Sequence, residues 1–229
     1  FKVYELTLNT DSETDTEVEV DVSEANGHVR VTQNTFKVYA GKSVTYKITV
    51  LAGNQLGTSA GKLKFKSDIK TITLPIVVEV ESERVIFDSK IDIAPDFKVV
   101  EAGDILKTHI TLLPVGPRER IVDAIVKYTI RDLDNNIIYT ESETFAVDEQ
   151  KSYEKEIPAP VDLSAGSYVV NIDVLYENAF ATSSALFVVG AEAPSEEAED
   201  VNNIMILIMI LTVPVMAYLI METIKRFKK

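Results

Sequence analysis

The sequence predicts an all-β chain that ends in one membrane-spanning helix. Two observations carry the β assignment and a third carries the helix. Apolar and polar residues alternate with period two in run after run, and clusters of Gly, Pro, Asn and Asp separate those runs. No stretch before residue 190 sustains a helical period. From Ile204 to Met221 only Thr212 and Pro214 interrupt an apolar run, and the chain then closes on a basic cluster.

The strands follow in order. FKVYELTLN, TEVEVDVS and HVRVTQ predict three within the first 35 residues. Val44, Tyr46, Ile48 and Val50 alternate with Ser43, Thr45, Lys47 and Thr49. The runs Ile72, Leu74, Ile76, Val78, Val80 and Val122, Ala124, Val126, Tyr128, Ile130 repeat the pattern, as does Tyr168, Val170, Ile172, Val174, Tyr176. Each predicts a strand with one face in a core and the other in water, as in an antiparallel sandwich. Turn signals lie at Gly53-Asn54, Gly57-Thr58, Pro114 to Pro117, Asp134-Asn135-Asn136, Ala165-Gly166 and Asn178. At Ile137-Ile138-Tyr139 the period places Ile137 and Tyr139 on one side and Ile138 on the other.

Roughly 190 residues precede the helix and its linker, room for two domains of ordinary size. The boundary is expected near Glu81 to Val85, dividing the exterior into 1–84 and 85–190. So short a boundary implies that the two units touch. FKVYAGKSVTYKITV at 36–50 resembles FKVVEAGDILKTHITL at 97–112. From Gly41 and Gly103 the two align without a gap, matching Val44 with Leu106, Ile48 with Ile110 and Val50 with Leu112, and read either as an internal repeat or as convergence on one hairpin pattern. In PAPVDLSAGSYVVNIDVLY at 158–176, Gly166 and Tyr168 open a strand. Tyr168 is the candidate for a tyrosine corner, a phenol tied back to upstream backbone.

An Ala-Gly turn before an alternating strand, then D-L-x-A-G-x-Y and a long final strand, resembles tandem immunoglobulin-like modules of prokaryotic surface proteins. The archaeal envelope proteins of the cell-adhesion-related and surface-layer-associated type are the nearest in pattern. The resemblance covers about residues 36–190 plus the anchor. It implies two tandem immunoglobulin-like or fibronectin-type β-sandwiches, secreted, stacked in series and held by one C-terminal membrane helix. The chain has no cysteine, so the disulfide-bearing antibody subclass is excluded.

At about 1.5 Å per residue the apolar run 204–221 spans roughly 27 Å, close to a bilayer's hydrocarbon thickness. It has no polar face, and membrane helices tolerate a proline such as Pro214. Lys225, Arg226, Lys228 and Lys229 follow it, whereas its other flank carries Glu196, Glu197, Glu199 and Asp200. The positive-inside bias therefore predicts a single pass with the N-terminal region outside and the tail 222–229 in the cytoplasm. That topology needs a leader, so Phe1 is read as the start of a mature or trimmed chain. Segment 191–203 is acidic and poor in large apolar residues, and reads as a self-repelling stalk.

The chain carries a net charge of −13 and no Asn-x-Ser/Thr sequon. Such a field repels nucleic acid and anionic head groups. There are two histidines, His28 and His109, far apart in sequence, and no phosphate-cradling glycine loop. Neither an enzyme nor a cofactor is expected. Asp132, Asp134 and Asn136 are weak calcium candidates, with the acidic turn Asp11 to Asp15 a weaker one. A plain hairpin turn and a solvated loop are the weightier readings of each. A glycan-binding module is disfavoured because no Trp is present to stack on a sugar.

Together these point to a membrane-anchored structural or interaction protein of the cell surface, in an archaeal envelope. The expected partners are the bilayer, other envelope or membrane proteins, and copies of the chain itself, with no nucleic acid or small-molecule substrate. The second reading is an accessory single-pass subunit of a larger translocation, glycosylation or transport complex.

Overall fold

β-Branched and aromatic residues at alternate positions favour a pleated, half-buried surface, and the described residues answer with strands from Lys2 to Val189. The computed structural model describes residues 1–10, 13–25, 27–53, 55–83, 87–115, 122–147, 150–177 and 179–190. The stalk 191–203, the anchor from Ile204 through Pro214 to Met221 and the basic tail lie outside the described residues, as do Asp11, Ser12, Asn26, Asn54, Asn178 and the boundary residues 84–86.

Seven strands form first: β1 (Lys2–Asn9), β2 (Thr16–Asp21), β3 (Val29–Val31), β4 (Thr35–Val38), β5 (Ser43–Val50), β6 (Gly57–Lys66) and β7 (Thr71–Val80). They make two sheets, β1-β5-β3 and β4-β2-β6-β7. Their inward rows meet in one core of Val18, Val20, Val29, Phe36, Val38, Tyr46, Ile48, Leu63 and Phe65, so the pair is a sandwich. Tyr46 stacks on Phe36 at 4.7 Å and meets Phe65 edge-on at 5.9 Å. Its phenol donates to the Gln33 carbonyl.

The second set is β8 (Phe87–Ile93), a 3-10 turn at Pro95–Phe97, β9 (Val99–Val100), β10 (Ile105–Pro114), β11 (Val122–Asp132), β12 (Ile137–Val147), β13 (Lys151–Pro158), β14 (Gly166–Tyr176) and β15 (Ala179–Val189). Its sheets are β13-β10-β8 and β12-β11-β14-β15-β9, with β9 parallel to β15 and every other pair antiparallel. Leu106, Ile110 and Leu112 of one sheet face Ala124, Val126, Tyr128, Ile130, Val170, Ile172 and Phe187 of the other in a second core. Three strands on one sheet, with the hairpin-linked β11, β12, β14 and β15 on the other, is an immunoglobulin-type arrangement.

Three sequence expectations are corrected. The strand β14 does not keep one wet face: Val169, Asn171 and Asp173 are buried along with Val170, Ile172 and Val174. The reason is a second layer, since the outer face of β14 and β15 packs on β6 and β7 through Ala60, Val77, Leu133, Val169 and Leu186. The repeat is local only. Gly41 and Gly103 both adopt left-handed φ, +60° and +91°, before β5 and β10. Yet two strands follow β5 and five follow β10, and their sheets are wired differently. The likeness therefore records how a glycine turn feeds an alternating strand. Finally, a bulge between Ile130 and Arg131 sets Ile130 opposite Tyr139 and Arg131 opposite Ile137. Ile138 and Tyr139 both reach the core while Ile137 stays exposed.

Candidate functional site

The densest polar chemistry among the described residues lies where the two sandwiches meet. It is built on the β11–β12 hairpin, whose sequence RDLDNN closes a tight turn. The Asp132 carboxylate accepts from the Asp134 and Asn136 amides at 2.9 and 2.8 Å and from Asn136 Nδ2 at 2.8 Å. That side-chain turn holds Asn135 at φ +69°, a conformation Asn tolerates better than most residues. The tip then reaches the first sandwich in three ways. Leu133 is buried against Ala60 and Val169. The Asn135 side-chain oxygen accepts from the Ala60 amide at 3.1 Å and from Arg131 Nη1 at 3.3 Å. Asp134 takes the Lys62 ammonium at 2.7 Å, a contact that raises the lysine pKa.

A buried chain of hydrogen bonds continues from the tip. Arg131 Nε donates to Asn171 Oδ1 at 3.2 Å, and Asn171 Nδ2 donates to Asp173 Oδ1 at 3.1 Å. Thr182 has the same Asp173 oxygen at 2.8 Å and the Ile172 carbonyl at 3.1 Å as acceptors, and its hydroxyl shares a 2.9 Å hydrogen bond with that of Thr58 of β6. Burial lowers the Arg131 pKa, and the nearby Asp173 charge opposes that shift. The link between the sandwiches is bonded in too. Ser82 donates its amide to the Phe180 carbonyl at 3.1 Å and its hydroxyl accepts the Phe180 amide at 2.9 Å. Glu81 accepts from the Thr182 amide at 3.0 Å. Residues Phe1–Gly190 accordingly form one compact unit. This arrangement fixes orientation; every donor and acceptor named is spent on another part of the chain.

A second cluster seals the open side of the second sandwich. Lys155 points inward from β13, bonds Glu143 and, at 2.9 Å, Glu141 of β12, and lies 4.8 Å from the centre of the Tyr128 ring. Burial alone would lower the Lys155 pKa, but its two carboxylate partners outweigh burial and raise it. The Lys155 and Tyr139 hydrogen bonds hold the Glu141 pKa below the ordinary carboxylate range. The Tyr128 and Tyr153 hydroxyls share a 2.7 Å hydrogen bond beneath it.

The other residues singled out from sequence sit as follows. Tyr168 opens β14 and donates its phenol to the Ser164 carbonyl at 2.8 Å, the geometry of a tyrosine corner. Gly166, just before it, has φ +155°. A Cβ at Gly103 would lie 3.1 Å from Val161 Cγ1. Asp132, Asp134 and Asn136 are brought together, but as the ties of the hairpin tip. Among the described residues no group of three or more His, Asp or Glu is arranged to hold a metal ion. His28 faces the Leu51 carbonyl at 3.1 Å, and His109 is exposed between Asp92 and Glu154 on the neighbouring strands. The anchor residues and Lys225, Arg226, Lys228 and Lys229 lie outside the described residues, and among those described no helix is long and apolar enough to cross a membrane.

Sequence reasoning missed the buried polar set Thr58, Asn171, Asp173 and Thr182. A signal was present in VVNIDVLY, where Asn and Asp occupy the supposedly wet positions of a strand that is otherwise wholly apolar.

No family model matches the chain, and no curated protein matches it. Several solved structures are similar to the chain at low scores. One is the CARDB domain of a Pyrococcus furiosus protein in complex with di-metal ions, at 16% identity and a TM-score of 0.33 over 46% of this chain and 94% of that one. A second is the β-glucuronidase of Bacteroides uniformis, at 11% identity and 0.35, over 81% of this chain and only 26% of that one. A third is the CupB2 chaperone of Pseudomonas aeruginosa, at 10% identity and 0.29, over 80% and 92%. At these scores the likenesses carry no argument about function.

Proposed function

We propose that this chain is a non-enzymatic, membrane-anchored interaction protein of the cell surface, of the archaeal envelope type. Its two immunoglobulin-type sandwiches form a head held away from the bilayer by an acidic stalk and one helix. The observation that carries the reading is the junction between the sandwiches. A tandem pair that served only as a flexible spacer would need no buried Arg131–Asn171–Asp173–Thr182–Thr58 chain across it. A head that must present a surface in a fixed direction does need one. The apolar run Ile204–Met221 and the four bases after it support the single-pass topology.

The chain has no cysteine, so single substitutions report topology cleanly. Ser142→Cys on the exposed face of β12 should react with a membrane-impermeant maleimide on intact cells, and Lys228→Cys only after permeabilisation. The reverse pattern, or reaction of both only after permeabilisation, would overturn the surface assignment.

A further inference from the structure

Every sheet edge is a row of unpaired amides and carbonyls that invites another strand, and folded proteins blunt such edges. This molecule blunts them one by one. Strands β3, β4 and β9 are short, at 3, 4 and 2 residues. Strand β7 carries Pro75 at its centre. Strands β12 and β13 point Glu141, Glu143 and Lys155 inward. Strand β8 gives its Ile91 amide to the Ser183 hydroxyl of β15 at 3.3 Å. Strand β1 carries only one such device, Lys2 at its start, which lies over the Tyr4 ring. It runs for 8 residues, KVYELTLN, with no proline, no bulge in its register with β5 and no inward charge after Lys2. Its other edge pairs with no strand among the described residues. Its inward row, Tyr4, Leu6 and Leu8, is only half-buried, whereas the inward residues Ser89, Ile91 and Ile93 of β8 are fully covered.

We propose that β1 is a self-association edge, pairing antiparallel with β1 of a second copy about a two-fold axis through Leu6. The register follows from faces, charges and ladder length, since an axis on Thr7 would pair only residues 5–9 of the strand. Directly opposed residues share a face, so the even-numbered apolar row must meet itself. Centring the axis on Glu5 would set two Glu5 carboxylates face to face, which is unfavourable. Centring it on Leu6 opposes Leu6 to its own copy, Tyr4 to Leu8, Glu5 to Thr7 and Val3 to Asn9, with no like charges opposed. The paired copies would share one six-stranded sheet, β3-β5-β1 continued into β1-β5-β3, and would cover the half-buried apolar row. This names a surface and partner for the interaction-protein reading, and it rests on that reading.

The test is oxidative cross-linking of the full chain in native membranes, where no natural cysteine interferes. Opposed positions bring Cβ atoms to about 4.5–5.5 Å, near enough for a disulfide with slight adjustment. Leu6→Cys should give a covalent dimer. Tyr4→Cys and Leu8→Cys should fail singly and succeed together as a double variant. Thr7→Glu, on the exposed face, should cut the Leu6→Cys dimer yield severalfold by facing Glu5 of the other copy, while Thr7→Lys should preserve it. A monomeric Leu6→Cys chain, dimers from the Tyr4 or Leu8 variant alone, or a yield unmoved by Thr7→Glu would each overturn the proposal. Position 6 linking to a different protein would also overturn it, while leaving the broader interaction reading standing.

Discussion

At the scale of single residues, stability rests on a few polar groups whose partners are now explicit. Tyr168→Phe deletes the hydrogen bond to the Ser164 carbonyl, so it should cost about 1 kcal/mol in denaturant unfolding. Thr129 is the opposite case. Its hydroxyl is buried and has no hydrogen-bond partner, so Thr129→Val should be neutral or stabilise by up to about 1 kcal/mol. The Lys155 cluster sets a pH dependence. Glu141 has a depressed pKa in the folded state, so its contribution is present above the unfolded value and is lost as pH falls through the folded one. Lys155 has a raised pKa, so its contribution is present below the unfolded value and is lost as pH rises through the folded one. The melting temperature should therefore be level near neutrality and fall in acid below the ordinary carboxylate range and again in strong alkali. Lys155→Met should flatten both limbs. Tyr168 was legible in the sequence because a tyrosine corner is a local motif. The Lys155 cluster was not, because its carboxylates lie on another strand and nothing local records the pairing.

At the scale of elements, strand existence and facing were largely readable, since alternation is a direct consequence of the pleat. Leu106, Ile110 and Leu112 in β10 and Tyr46 and Ile48 in β5 all point where their period places them. Two kinds of feature escaped. The bulge at Ile130/Arg131 breaks the period locally, and no residue there announces it. The double burial of β14 depends on a partner about a hundred residues upstream. The hairpin tip shows the same limit. Its composition, rich in Asp and Asn, fits an ion as well as a turn in one dimension, with the turn the weightier reading. In three dimensions Asn135 supports the turn, Arg131 and the Ala60 amide at once. Asn135→Ala should therefore cost roughly 1–3 kcal/mol, through a strained left-handed alanine and the loss of the Asn135 bonds to the Ala60 amide and Arg131. Asn135→Gly relieves the strain but not the lost bonds and should be milder. The difference between the two, measured by chemical unfolding, separates backbone strain from the interface contact.

At the scale of the whole molecule, the junction between the sandwiches makes them one mechanical object. The two cores should unfold in a single calorimetric transition, and Leu133→Ala, at about 2–3 kcal/mol, should lower the stability of both together. Two separate transitions would show that the junction is too weak to couple them. Under the proposed function, a coupled head gives the proposed anchor something to orient, and the β1 edge gives the head something to meet. The most direct test of that account is chemical cross-linking in intact native membranes, with mass spectrometry of the peptides joined to residues 1–190. The account predicts links between copies, concentrated on lysines flanking β1 such as Lys2 and Lys47. Links only to one multi-span protein at fixed stoichiometry would contradict it, and would mark the chain as an accessory subunit instead.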